Sequence, residues 1–194
     1  MGLKHRVLGN MSITNPSKTE ISFTLVISRL SRRILYHGFV AGMGLKGDER
    51  VLDFGAGWGD NSYYIAERLG KGGRVTLLDV SSAWQDVARK RLRKFSNVDF
   101  VNSDIFSSGL PDESFDIIVA SYVIHDIDPR DRQAVLQELA RKLKHGGSIW
   151  LREPTKKLHG MKIEEIKELM NRATMQEISP IVSRTQYRAR FYKS

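Results

Sequence analysis

The 194-residue chain carries 31 Lys and Arg against 22 Asp and Glu, a net charge of +9 and an isoelectric point near 9.9. Apolar residues make up 41% and charged residues 27%, which excludes a disordered or fibrous chain and suits one domain. With no cysteine in the sequence, disulfides, thiolate metal sites and cysteine nucleophiles are excluded, and no apolar run is long enough to span a membrane.

The first ten residues, MGLKHRVLGN, lack an apolar signal core, and Arg6 stands where a myristoylation signal requires Ser or Thr. The expectation is a cytoplasmic protein. Residues 10–20 are polar and read as a loop. Over residues 21–41, Val26, Ile27, Leu30, Ile34 and Leu35 recur at helical spacing, and Gly42 and Gly44 end the pattern. Strand and helix then alternate. A strand is expected over residues 50–54, a glycine turn over 55–59, and a helix over 61–69 stopped by Gly70, Gly72 and Gly73. A second strand covers 74–80. Ser81 is placed to cap a helix with Trp84, Val87, Ala88 and Leu92 as its apolar positions. Strands follow over 98–101 and 115–120, a helix over 130–143 ended by Gly146 and Gly147, and a strand over 148–151. A helix over 161–173 and two strands over 178–182 and 187–192 complete the chain.

This alternation, with near-continuous apolar strands, predicts a mostly parallel sheet covered by helices on both faces. The last two strands are too close in sequence for a parallel crossover, so they pair antiparallel. Charge is unevenly spread: residues 1–50 carry a net +5, residues 51–140 a net −4, and residues 141–194 a net +8.

In open α/β sheets, ligands bind beyond the carboxyl ends of the strands. The first such end reads Asp53-Phe54-Gly55-Ala56-Gly57-Trp58-Gly59-Asp60. It departs from the dinucleotide fingerprint G-x-G-x-x-G, because Asp60 holds the sixth position. An acid there disfavours a pyrophosphate. Asp79 ends the second strand, where a carboxylate can accept both hydroxyls of a ribose. Asp104, after the third strand, can accept from an exocyclic amine such as that of adenine, with the Ile105 N–H donating to the ring. Three acids at three successive strand ends suit a cationic or neutral ligand rather than a polyphosphate. Each alone is equally at home as a helix cap or turn residue.

The segments VLDFGAGWGD (51–60), VTLLDVS (75–81), NSDI (102–105), FDIIVASYVIHDID (115–128) and LKHGGSIWLREP (143–154) resemble class I S-adenosylmethionine-dependent methyltransferases. The likeness runs from about Leu45 to the C-terminus. Within that superfamily, ASYVIHDI is most similar to the small-molecule branch containing the ubiquinone and menaquinone biosynthesis methyltransferases. The resemblance implies an α/β, Rossmann-like three-layer sandwich whose seven-stranded, mostly parallel sheet has its last strand antiparallel. It implies one domain over residues 1–194, with 1–44 an N-terminal helical lid and 45–194 a cofactor-binding core. It implies S-adenosyl-L-methionine as cofactor. Gly55, Ala56 and Gly57 would lie against its methionine part, Asp53 near its ammonium end, and Asp79 on the ribose. Val80 would pack on the adenine, Asp104 and Ile105 would read it, and Ser121 would offer backbone contacts near the methionine part. Trp58 stands where the family commonly has a small hydroxyl residue, and the quinone enzymes' own N-terminal signature is not evident.

The sulfonium methyl is already activated, so positioning for in-line displacement supplies much of the acceleration. A base is needed only if the acceptor must lose a proton. Three residues stand after the fourth and fifth strands. His125 can be that base or a structural turn residue. Tyr122 can face the methyl or simply pack. Glu153 can act as base, orient a substrate or serve the scaffold. No metal is expected, since Asp126 and Asp128 lack further ligands at metal-binding spacing. The acceptor should meet the two basic ends. Arg184, Arg188 and Arg190 fall on one face of the last strand, which with the N-terminal helix points to a small, acidic acceptor. The alternatives are an RNA or protein methyltransferase gripping an acidic partner, and a non-catalytic cofactor-binding module.

Overall fold

The computed structural model describes residues 36–155 and 160–193. The predicted helix over 21–41 and the lid over 1–44 therefore lie largely outside the described residues; what is seen is a short helix, α1 (Gly38–Ala41), entered through Tyr36 and His37.

The sheet is built from β1 (Arg50–Phe54), β2 (Arg74–Asp79), β3 (Val98–Asn102), β4 (Phe115–Ser121), β5 (Leu143–Pro154), β6 (Met175–Val182) and β7 (Gln186–Lys193). Between them run α2 (Asp60–Arg68), α3 (Ser82–Leu92), α4 (Arg132–Lys142) and α5 (Ile163–Arg172). Strand order is β3-β2-β1-β4-β5-β7-β6. The first five strands pair parallel. β7 inserts between β5 and β6, antiparallel to both. The expected seven-stranded sheet with an antiparallel last strand is what forms.

Each central strand is apolar on both sides, so two cores form. Leu52, Leu78, Ile118, Ala120 and Leu151 face one core together with Leu136, Leu139, Ile166 and Met170 from α4 and α5. Val51, Leu77 and Val119 face the other, against Ile65 of α2, Ala88 and Leu92 of α3, and Phe39 and Val40 of α1. Each such buried aliphatic side chain contributes roughly 1.5–3 kcal/mol. Ser81 caps α3 as its sequence suggests, accepting the Trp84 N–H at 3.3 Å.

Three boundaries differ from expectation. α4 stops at Lys142 rather than at the glycine pair, and Gly146 (φ +77°) and Gly147 lie inside a twelve-residue β5. Pairing with β4 on one side and β7 on the other extends that strand beyond its apolar stretch. β6 begins at Met175 and is an edge strand, irregular between Ile178 and Ile181 where Pro180 cannot donate to a ladder. Arg184 sits in the exposed β6–β7 turn, off the strand, so only Arg188 and Arg190 share the predicted face.

Candidate active site

The strand order reverses between β1 and β4, which opens a crevice at their carboxyl ends. The register brings one row of side chains across that edge on a single face of the sheet. Asp79 and Gly55 follow the paired Leu78 and Phe54, Ser121 follows Ala120, Ser121 pairs with Arg152, and Arg152 pairs with Arg188. The row is acidic at β2 and basic at β5 and β7. Asp53 lies one step back on the same face.

At the acidic end, Asp79 Oδ2 accepts the Gly57 N–H at 2.7 Å and Oδ1 accepts the Ser81 N–H at 2.8 Å. Each oxygen keeps a second lone pair. Burial pushes its carboxyl above the ordinary range, against those two hydrogen bonds. Asp53 is 1% exposed. Its Oδ2 accepts from the Ser62 N–H (3.1 Å) and hydroxyl (2.6 Å), while among the described residues Oδ1 is buried with no well-formed hydrogen bond, the Asn61 side chain lying beside the carboxyl. Burial pushes its pKa up to about 7, against the Ser62 hydrogen bonds.

The glycine turn between them is held in the left-handed region, with Gly55 at φ +65° and Gly57 at +52°. The two glycines differ in what surrounds them. A Cβ on Gly55 would lie 2.2 Å from Val123 Cγ2, so the turn is locked against the loop after β4. A Cβ on Gly57 would meet nothing within 4 Å. Open space beside Gly57, a buried carboxylate oxygen lacking a donor on Asp53, and spare acceptor capacity on Asp79 fit a ligand with hydroxyls and a positive charge.

Of the expected adenine-side residues, Val80 follows Asp79 and is 41% exposed, presenting an apolar surface at the strand end. Asn102 Nδ2 donates to the Asp79 carbonyl at 2.8 Å, tying the β2 and β3 ends together. Asp104 Oδ1 accepts the Phe106 and Ser107 N–H groups at 2.8 and 2.9 Å. It thus serves the turn that the sequence also allowed. Ile105 is 2% exposed, with its side chain in the core.

Beyond β4, Tyr122 adopts φ +56°, an unusual conformation for a side chain of its size, held by its N–H donating to the Arg152 carbonyl at 2.7 Å. Its hydroxyl donates to Gln186 Oε1 at 2.6 Å. Glu153, read from the sequence as a residue just after the fifth strand and a candidate base, lies inside β5 and points away from the crevice, because side chains alternate along β5 and Arg152 takes the crevice side. Glu153 is fully buried. Its Oε1 accepts the Val123 and Ile124 N–H groups at 2.9 and 2.8 Å, and Oε2 accepts the His125 N–H at 3.4 Å and lies 2.6 Å from His125 Nδ1. A carboxylate accepts only, so Nδ1 carries a proton; Nε2 lies 3.3 Å from Asp126 Oδ1, which accepts from it in the imidazolium form, and is the nitrogen left bare when the ring is neutral. Burial lowers the His125 pKa, but the hydrogen bond and charge of Glu153 outweigh it and leave it raised.

Several residues of the site were not singled out from sequence. The Arg152 side chain is 1% exposed, with its guanidinium 4.6 Å from each of the Tyr36, Phe39 and Tyr122 rings and its Nε donating to Ser121 Oγ at 3.0 Å. A charged residue on the alternation Ser148-Trp150-Arg152 of a buried strand was the available signal. Tyr36 lies between opposite charges: burial first, then the charge of Asp60, push its hydroxyl up to about 12, while Arg152 pulls it down. Asp60, which separates this turn from the dinucleotide pattern, and Trp58, which stands where a small hydroxyl residue is common, serve the scaffold. Trp58 lies 4.9 Å from Trp84 and donates its indole N–H to Asp60, and Asp60 pairs with Arg91 at 2.7 Å. Among the described residues, no group of three or more His, Asp or Glu side chains is arranged to hold a metal, and no helix is long and apolar enough to cross a membrane.

Residues 51–147 match the family model described as a methyltransferase domain. The chain is 36% identical over 112 residues to a ubiquinone/menaquinone biosynthesis C-methyltransferase of Xanthomonas axonopodis, covering 56% of this chain and 44% of that protein. It is also 36% identical over 112 residues to the arsenite methyltransferase of Mus musculus, covering 52% of this chain and 29% of that protein. It therefore spans less than half the length of either relative. A crystal structure of a SAM-dependent methyltransferase from Aquifex aeolicus superposes with a TM-score of 0.75 at 22% identity, covering 89% of this chain and 98% of that one. The matched segment is half of the sequence and contains the glycine turn, Asp79, Asp104 and the loop after β4. The chain belongs to the methyltransferase domain family and has the fold of the class I S-adenosylmethionine-dependent enzymes.

Proposed function

We propose that this chain moves a methyl group from S-adenosylmethionine to a small acidic acceptor held at the β4–β5–β7 side of the crevice. The observation that carries this reading is the polarity of one row of side chains. Carboxylates stand at β1 and β2, and guanidinium groups at β5 and β7. Unsatisfied buried groups follow the same division: Asp53 Oδ1 lacks a donor at one end, and the side-chain N–H groups of Trp150, Arg188 and Arg190 lack acceptors at the other. A cationic cofactor and an anionic acceptor bound side by side would satisfy both.

In this reading Asp79 takes the ribose hydroxyls on the lone pairs left free by Gly57 and Ser81. Asp53 faces the ammonium group. Gly55 and Ala56 form the turn, and Gly57 leaves the space that the methionine part occupies. Val80 covers one face of the adenine, with Asp104 and the Ile105 backbone at its edge, and Ser121 borders the methionine part. The cofactor supplies a methyl group on a sulfonium leaving centre. His125 takes the acceptor's proton at Nε2, and Glu153 is a positioning residue that fixes the imidazole and the backbone of residues 123–125. Tyr122 lines the crevice, its ring held by Arg152.

The relatives act on unlike acceptors by their names, so neither acceptor is carried over. A large polyanion is the weaker reading, because Arg152 is buried in aromatic rings rather than displayed on a surface. The test is calorimetry with S-adenosylhomocysteine followed by radiolabelled methyl uptake into acidic metabolites, their neutral analogues and tRNA. Binding, with label entering the acids, is expected. No affinity for the nucleoside overturns the cofactor assignment, and label entering only tRNA overturns the acceptor class.

A further inference from the structure

We infer that Arg188, with Arg190 and Trp150, forms the subsite for the acceptor's anionic group, roughly 10 Å along the sheet edge from Ser121. The distance is two strand spacings, from β4 through β5 to β7. This inference rests on the small-acid reading above and adds which residues select the acid.

Arg188 stands directly opposite Arg152 in the β5–β7 ladder, on the same face. Like charges in that relation repel. Arg152 has a built environment of three rings and the Ser121 hydroxyl. Arg188 has none. Its Nε is buried without an acceptor, and among the described residues no carboxylate lies within ion-pairing distance of it. One residue pair along, Trp150 lies opposite Arg190. The indole N–H and the Arg190 Nε–H are likewise buried with no acceptor, and the Arg190 guanidinium is 5.7 Å from the indole ring.

Three donors from two adjacent strands thus share one face and, among the described residues, lack one kind of partner. Buried polar groups are normally satisfied, so a cluster that is not points to something that binds there. Donors carrying positive charge call for an anion, and a guanidinium matches the planar oxygens of a carboxylate or the edge of a phosphate. Ile178 and Ile181 of β6 pair with Arg190 and Arg188 and are exposed. They flank the donors with apolar surface, which suits an acid carried on a hydrocarbon or aromatic frame. A long polyphosphate would find no further free cations along this row, which ends at β6.

The test uses the full chain, free and saturated with S-adenosylhomocysteine, titrated with benzoate, phenyl phosphate and the neutral benzyl alcohol, followed by tryptophan fluorescence and calorimetry. At least one acid should bind the loaded protein tenfold or more tightly than the alcohol. Arg188→Gln should weaken that acid at least tenfold and leave the alcohol and the nucleoside unchanged; the nucleoside affinity reports that the variant is folded. Arg188→Lys should fall between, and Arg190→Gln should weaken the acid by a smaller factor. The carboxylate and phosphate arms show which anion is preferred. Acids binding no more tightly than the alcohol, or acid affinity indifferent to both Arg188→Gln and Arg190→Gln, overturns the inference. Failure to bind the nucleoside alone counts against the cofactor reading, since the acids are also titrated against the free protein.

Discussion

Asp79 carries the most direct consequence at the scale of one residue. Removing its carboxylate leaves the Gly57 and Ser81 N–H groups without their acceptor and, on the proposed reading, the ribose without its partner. Asp79→Ala should weaken S-adenosylhomocysteine binding by roughly 1–3 kcal/mol in calorimetry. Asp53 adds a pH dependence. Its folded pKa of about 7 lies above the ordinary 3.8, so the carboxyl favours folding when protonated and opposes it once ionised. The difference is about 4 kcal/mol, lost as pH rises through 7. Asp53→Asn should therefore stabilise the fold more at pH 8 than at pH 5 by thermal melting. Nucleoside affinity, which should rise from pH 6 to 8 in the wild type as the carboxylate forms, should be flat in the variant. His125 must be neutral to accept a proton, and its pKa is raised. The acid limb of the rate profile should lie above pH 6.5. Glu153→Gln removes the charge that raises it, so the limb should move to lower pH, measured with any acceptor the label screen returns.

Between β1 and α2 lies the element whose behaviour is easiest to separate into scaffold and ligand. Gly55→Ala places a methyl group against Val123 in a left-handed turn, and should cost about 2–4 kcal/mol of stability through overpacking and backbone strain. Val123→Ala should recover part of that loss in a double-mutant cycle, since the two atoms collide directly. Gly57→Val meets only the cost of its conformation, about 1–2 kcal/mol, because the space beside it is empty. It should keep the fold and lose nucleoside binding. Sequence alone could not distinguish the two glycines. Both read as turn residues, and only the approach of Val123, 68 positions later, makes one of them structural. The same limit explains Glu153. The sequence places it just after the fifth strand, whereas it lies inside β5, and which face it takes depends on the pairing of β5 with β4 and β7.

At the scale of the molecule, the chain is basic at both ends and acidic in the middle, and the fold converts that linear pattern into a gradient across one sheet edge. The proposed small acid would engage one or two cations there, so its binding should fall only shallowly with salt. Gripping several phosphates of a nucleic acid would give a steep log–log slope. Measuring the affinity of a bound acid between 50 and 200 mM salt, as an order-of-magnitude range, checks this, and a steep loss would contradict it. The sequence by itself determined the strand–helix alternation, the antiparallel end of the sheet and the acids at strand ends, because periodicity and glycine turns are local properties of the chain. It did not determine that β7 enters between β5 and β6, that Arg152 is enclosed by Tyr36, Phe39 and Tyr122, or that Arg188 faces it with no counterion among the described residues. Those are decided by register between strands far apart in sequence. A shift of one residue there would turn every one of these side chains to the opposite face.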